Sequence, residues 1–129
     1  MSAWTRYALT HDDTCMDVIV DVREPDSPEI LALCAMINDF WSGADDRMSE
    51  AGDDVLIAVL NMLCRCALAA EMSDGFSAVH QFAVEGVEGW PLLNGSEGIK
   101  LVRVDRFTFE SEVSIKAYPQ SSAAEGVPA

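Results

Sequence analysis

The sequence predicts an α+β fold: an antiparallel sheet of two N-terminal and two C-terminal strands, with three to four central helices packed on one face. Three observations lead there. Period-2 patterns rich in β-branched residues lie near the two ends of the chain. Between them, apolar residues recur at helical spacing. The resulting order, strands then helices then strands, favours segregated layers over alternating βαβ units. The chain has 129 residues, 50% hydrophobic and 23% charged, which suits a globular chain rather than a disordered one. That length suits one domain, residues 1–118, followed by an unpatterned, disordered tail over residues 119–129.

Residues 4–10, WTRYALT, read as a weakly alternating strand. Residues 15–22, CMDVIVDV, alternate better. Met16, Val18, Val20 and Val22 share one face, with Asp17, Ile19 and Asp21 on the other. The polar turn His11-Asp12-Asp13-Thr14 joins the two as a hairpin. A helix then starts at Asp26-Ser27-Pro28-Glu29. Asp26 or Ser27 serves as N-cap, Pro28 sits in the first turn, and Glu29 completes a capping box. Ile30, Leu33, Cys34, Ile37, Phe40 and Trp41 form its buried face, and Glu29, Asn38 and Asp39 its wet one. Ser42-Gly43 interrupts it. Ser42 is expected to cap a short helix from Ala44 to about Ala51, ended by Gly52.

Asp53 or Asp54 caps a third helix, Val55 to about Glu71. Up to Ala70 its only polar residues are Asn61 and Arg65, one turn apart. It therefore reads as the central helix, covered nearly all round. An apolar run of this length with an Arg inside is too short and too polar to cross a membrane. Ser73-Asp74-Gly75 reads as a turn and Ser77–Val84 as a short fourth helix. Residues 86–98, GVEGWPLLNGSEG, form a long loop with a tight turn at Asn94-Gly95. Two further strands follow, Ile99–Phe109 and Val113–Tyr118, joined at Glu110-Ser111.

The amino-terminal MSAWTRYALTHDD has no apolar h-region, so the expected location is the cytoplasm. There the four cysteines, Cys15, Cys34, Cys64 and Cys66, are expected as free thiols. Cys64 and Cys66 point about 200° apart on a helix, so they cannot readily share a metal. No zincin, P-loop, nucleophile-elbow or dinucleotide motif occurs. Neither His11 nor His80 stands beside a nucleophile. No cofactor, metal or catalytic residue is assigned.

Charge is the most distinctive property. The chain holds 22 acidic against 8 basic side chains, a net charge of −14. Residues 12–54 alone hold 13 acids and 2 bases, whereas residues 101–118 are neutral. Such acidity argues against direct nucleic-acid binding and against an anionic membrane surface. A solvated acidic face would by itself keep the chain soluble. The sharper reading is a docking surface for a basic protein, built from Asp12, Asp13, Asp17, Asp21, Asp45, Asp46 and Glu50. Spaced carboxylates of this kind can imitate a phosphate backbone. Asp45, Asp46, Glu50, Asp53 and Asp54 do not follow calcium-loop spacing, and helix capping accounts for them as well. Trp90 in the glycine-rich loop has two readings: a plug at the end of the core, or an anchor for a ligand or partner.

Two segments, Ile37-Asn38-Asp39-Phe40-Trp41-Ser42-Gly43-Ala44-Asp45-Asp46-Arg47 and Glu88-Gly89-Trp90-Pro91-Leu92-Leu93-Asn94-Gly95-Ser96-Glu97-Gly98-Ile99, carry a resemblance. Together they resemble a small bacterial family classed as a domain of unknown function, found often on prophages and other mobile elements. The resemblance implies a cytoplasmic accessory protein acting on host machinery, and it supplies no activity, ligand or catalytic residue. The expected function is an acidic protein-interaction module that binds a basic, nucleic-acid-binding host protein as a mimic or inhibitor. The alternative is a small-ligand-binding protein or enzyme with a pocket near the Gly86–Gly98 loop.

Overall fold

The computed structural model describes residues 3–73 and 77–105. Strands β1 (Trp4–His11) and β2 (Met16–Arg23) form an antiparallel hairpin. Strand β3 (Ile99–Val104) pairs antiparallel with the other edge of β2, so the sheet order is β1-β2-β3. Between β2 and β3 the chain forms α1 (Pro28–Phe40), α2 (Ala44–Glu50), α3 (Val55–Ser73) and α4 (Ala78–His80). Helix α4 runs straight into a π-helical turn, Gln81–Glu85. The architecture is α+β, with three antiparallel strands among the described residues. The expected turn at Asp74-Gly75, the extension of the third strand to Phe109, the fourth strand Val113–Tyr118 and the tail 119–129 lie outside them.

Alternation in β2 sets the layers. Val18, Val20 and Val22 are fully buried and, with Ile99 and Leu101 of β3, make the inner face of the sheet. Tyr7 and Leu9 of β1 lie opposite Val20 and Val18 and extend that face while half-buried. Helix α3 packs on β1, β2 and α1. Its Val59, Leu60, Leu63 and Ala67 are at most 1% exposed, whereas Asn61 and Arg65 face solvent as expected. Asp54 caps it, its carboxylate accepting from the Ile57 amide at 3.2 Å. The helix ends at Ser73 rather than Glu71, so Val55–Met72 is long and apolar enough to cross a membrane. Length alone therefore does not exclude that role. Its packing between sheet and α1 is the position of a core helix.

Of the two expected caps of α1, Ser27 takes the role; its hydroxyl accepts from the Ile30 amide at 3.3 Å. Four other expectations are corrected. Ser42 does not cap α2. Gly43 holds the N-cap with φ of 87°, a left-handed conformation that glycine adopts without a Cβ clash. Asn38, expected on the wet face, is 2% exposed, because Arg47 and the start of α2 fold over it. Phe40, expected inside, is 53% exposed, because it stands at the last turn of α1 with one face uncovered. The fourth helix tightens to Ala78–His80 before the π turn, where the Gly86 amide reaches back to the Gln81 carbonyl at 2.8 Å.

Candidate functional site

The predicted acidic residues fall on separate parts of the molecule. Asp12 and Asp13 occupy the exposed β1–β2 turn. They line a groove of about 540 Å³ together with His11, Thr10, Asn61, Cys64 and Arg65. Asp45 and Asp46 start α2 and Glu50 ends it, all exposed. Among the described residues these five carboxylates take part in no ion pair.

Asp17 and Asp21 differ. Both stand on the outer face of the sheet, away from the helices, in register with Thr10 and Arg6. Arg6 clasps Asp21 through Nε at 2.8 Å and Nη2 at 3.0 Å. That hydrogen bond holds the Asp21 carboxyl below the ordinary carboxylate range and raises the Arg6 guanidinium. Asp17 accepts from the Thr10 hydroxyl at 2.7 Å. Lys100 and Arg103 of β3 lie opposite Asp21 and Ile19, and Arg103 pairs with Asp105 at 2.7 Å. Asp21 is thus neutralised by Arg6, whereas Asp17 is held by a neutral hydroxyl, and both are committed within the sheet rather than free like the five above.

A carboxylate grouping not anticipated as a docking feature lies at the other end of the hairpin. Asp26, Asp53 and Asp54 share a groove with Tyr7, Pro25, Leu31 and the first residues of α3. Partial burial, and then Asp26 and Asp54, raise the Tyr7 phenol above its ordinary value. Among the described residues, no group of three or more His, Cys, Asp or Glu side chains is placed to hold a metal ion.

The two sequence motifs meet in space. Arg47 reaches back from α2 to the carboxyl end of α1. Its Nε donates to Asn38 Oδ1 at 2.6 Å, Nη2 to the Asn38 and Trp41 carbonyls at 2.8 Å each, and Nη1 to the Ser42 carbonyl at 2.6 Å. Asn38 Nδ2 in turn donates to the Ala44 carbonyl at 3.3 Å. A planar fork thereby satisfies carbonyls that a helix end leaves without partners. Beside the bracket, exposed Phe40 and half-buried Trp41 form an edge-to-face pair with centroids 4.9 Å apart. Both rings press on Gly89. A Cβ there would fall 2.5 Å from Trp41 Cζ2 and 2.6 Å from Phe40 Cδ2, and φ is +85°. The Trp41 indole N–H is buried and finds no hydrogen-bond partner among the described residues.

Trp90 is 9% exposed and meets Phe82 edge-on at 5.9 Å. Its indole belongs to the core, and its outer surface forms part of a shallow apolar groove. Leu33, Met36, Ile37 and Phe40 of α1 make one wall, and Gly89, Trp90 and Pro91 the other, around about 310 Å³. Met36 is 70% exposed on its rim. This groove lies where the alternative reading expects a pocket, beside the Gly86–Gly98 loop, but its lining is apolar rather than a set of convergent polar groups. Its α1 wall had a signal in the sequence: Met36 is an apolar position outside the one buried stripe.

The four cysteines are free, with Cys34 and Cys64 buried and Cys15 exposed. Burial pushes the Cys34 thiol up to about 12 and raises Cys64 and Cys66 as well. None of these three is an activated thiolate.

A family model described as protein of unknown function (DUF2528) matches residues 18–116, a span that contains both motifs. Two relatives are each 40% identical over 89 residues, covering 63% of this chain and 72% of their own. They are "Lambda prophage-derived protein ea10" of Escherichia coli O6:H1 (strain CFT073) and "Protein ea10" of Escherichia phage lambda. No solved structure matches the chain.

Proposed function

The chain belongs to the DUF2528 family of proteins of unknown function, and on that premise we propose that it is a cytoplasmic prophage accessory protein that works by binding a basic host protein. The relatives named for phage lambda and its prophage support the context. One observation carries the mechanism: Asp12, Asp13, Asp45, Asp46 and Glu50 are exposed and take part in no ion pair among the described residues. Free carboxylates of one sign steer a basic surface into contact and discriminate against acidic ones. Spaced over a surface, they can occupy the channel of a nucleic-acid-binding protein in place of phosphates. The small-ligand alternative is the weaker reading. The groove beside the Gly86–Gly98 loop is almost wholly apolar, and a small-molecule site needs convergent polar groups.

The test is charge reversal. Changing Asp12, Asp13, Asp45 and Asp46 to Lys moves the charge by two per site, from −14 to −6. The immobilised chain is exposed to host lysate at about 0.05 M and about 0.5 M salt, a range that shortens the Debye length several-fold. A basic protein should be retained at low salt, released at high salt and lost with the reversed variant. A partner retained equally by a folded reversed variant, with the same salt dependence, refutes the reading.

A further inference from the structure

We infer that the groove between α1 and the Gly89–Pro91 loop is the seat for an amphipathic, basic helix of the protein partner. The inference rests on the binding role proposed above and adds where and how the partner docks. Leu33, Met36, Ile37 and Phe40 recur at i, i+3, i+4 and i+7, the spacing at which one helix presents an apolar stripe to another. From Leu33 to Phe40 the wall runs roughly 10 Å, enough for about two turns of a docked helix.

Charge around the groove selects the occupant. Glu29 precedes Leu33 by one turn on the same stripe, Asp39 follows Met36 by three residues, and Glu88 adjoins Gly89; all three are exposed. Among the described residues no basic side chain lines the groove. Arg47, the nearest cation in sequence, is committed to the carbonyls at the end of α1. An apolar trough with an acidic rim complements a helix that carries apolar residues on one face and Lys or Arg on its flanks. The walls are also preformed. Phe40 and Trp41 are wedged on Gly89, where any larger residue would collide, and Trp90 is fixed by Phe82. Little ordering remains for the bound state, which favours affinity.

The probe is a fluorescein-labelled helical peptide of Leu and Lys only, with Leu on one face and Lys on the other. Its anisotropy is titrated with the full chain at about 0.15 M salt. Binding is expected for this peptide, and at least about tenfold weaker binding for a scrambled peptide of identical composition. Met36→Lys, at a mostly exposed site, should keep the urea midpoint yet weaken binding about tenfold or more. In a methyl NMR spectrum the Met36 signal should shift on peptide addition. Equal binding of the scrambled peptide, or an unmoved Met36 methyl at saturation, overturns the inference. So does sedimentation showing a self-dimer that Met36→Lys dissolves, because the occupant is then a second copy. The four-site Asp→Lys variant separates this from the parent reading. Loss of binding there but not in Met36→Lys refutes the groove and keeps the acidic docking surface. Loss in Met36→Lys alone keeps the groove and refutes the role of those four carboxylates.

Discussion

Replacing Arg47 by Ala removes one guanidinium that donates four hydrogen bonds at the carboxyl end of α1. A hydrogen bond to a charged group contributes roughly 1.5–3 kcal/mol, but four bonds from one group do not add. Water can reach the freed Trp41 and Ser42 carbonyls, because Ser42 is exposed and Trp41 half-buried. Asn38 is 2% exposed and cannot be rescued so easily. Its side-chain oxygen would be left buried without the Arg47 donor, costing about 1–3 kcal/mol. Loss of a cation at a helix C-terminus adds roughly 0.3–1 kcal/mol. The expected destabilisation is therefore about 1–4 kcal/mol, a large share of the roughly 5–15 kcal/mol typical of a domain. Urea denaturation followed by circular dichroism should show a lower midpoint with an unchanged slope. Arg47→Lys should recover less than half, because an ammonium has no planar fork to span these acceptors. Asn38→Ala combined with Arg47→Ala should cost less than the two single losses together. An Arg47→Ala midpoint equal to that of the native chain, or full stability in Arg47→Lys, would refute the reasoning.

Other outcomes follow from the core and its titrating groups. Leu60→Ala and Leu63→Ala should each cost about 2–5 kcal/mol in urea unfolding, because both side chains are 1% exposed. Gly89→Ala should destabilise by about 1–3 kcal/mol and make Trp41 fluorescence more accessible to a soluble quencher, because the added Cβ displaces its ring; an unchanged midpoint would show that the rings are not wedged on Gly89. With thiol reagents at neutral pH, Cys15 should react quickly and Cys34 only on unfolding, as read by intact mass. Stability should fall as pH rises from 9.0 towards about 12, because the Cys34 thiol keeps its proton when folded and loses it near 9.0 when unfolded. Cys34→Ala, compared with the native chain in urea melts across that window, should flatten the decline.

The sequence by itself determined the layer logic. Alternation in residues 16–22 was enough to orient β2, because a pleated strand sends successive side chains to opposite faces. The nearly continuous apolar run of α3 was enough to place it in the core, since no other position covers such a helix on all sides. The family was legible too, in the segments around Trp41 and Trp90. Tertiary structure decided what those segments do. Asn38 reads as a polar surface residue until Arg47, nine positions later, folds back over it. Asp21 reads as a free carboxylate until the β1–β2 register sets Arg6 against it. Phe40 reads as core until the end of α1 leaves it facing the Gly89–Pro91 loop. In each case the deciding partner is distant along the chain. Local periodicity reports which face a residue is on, whereas the partner across that face is set by how the elements pack.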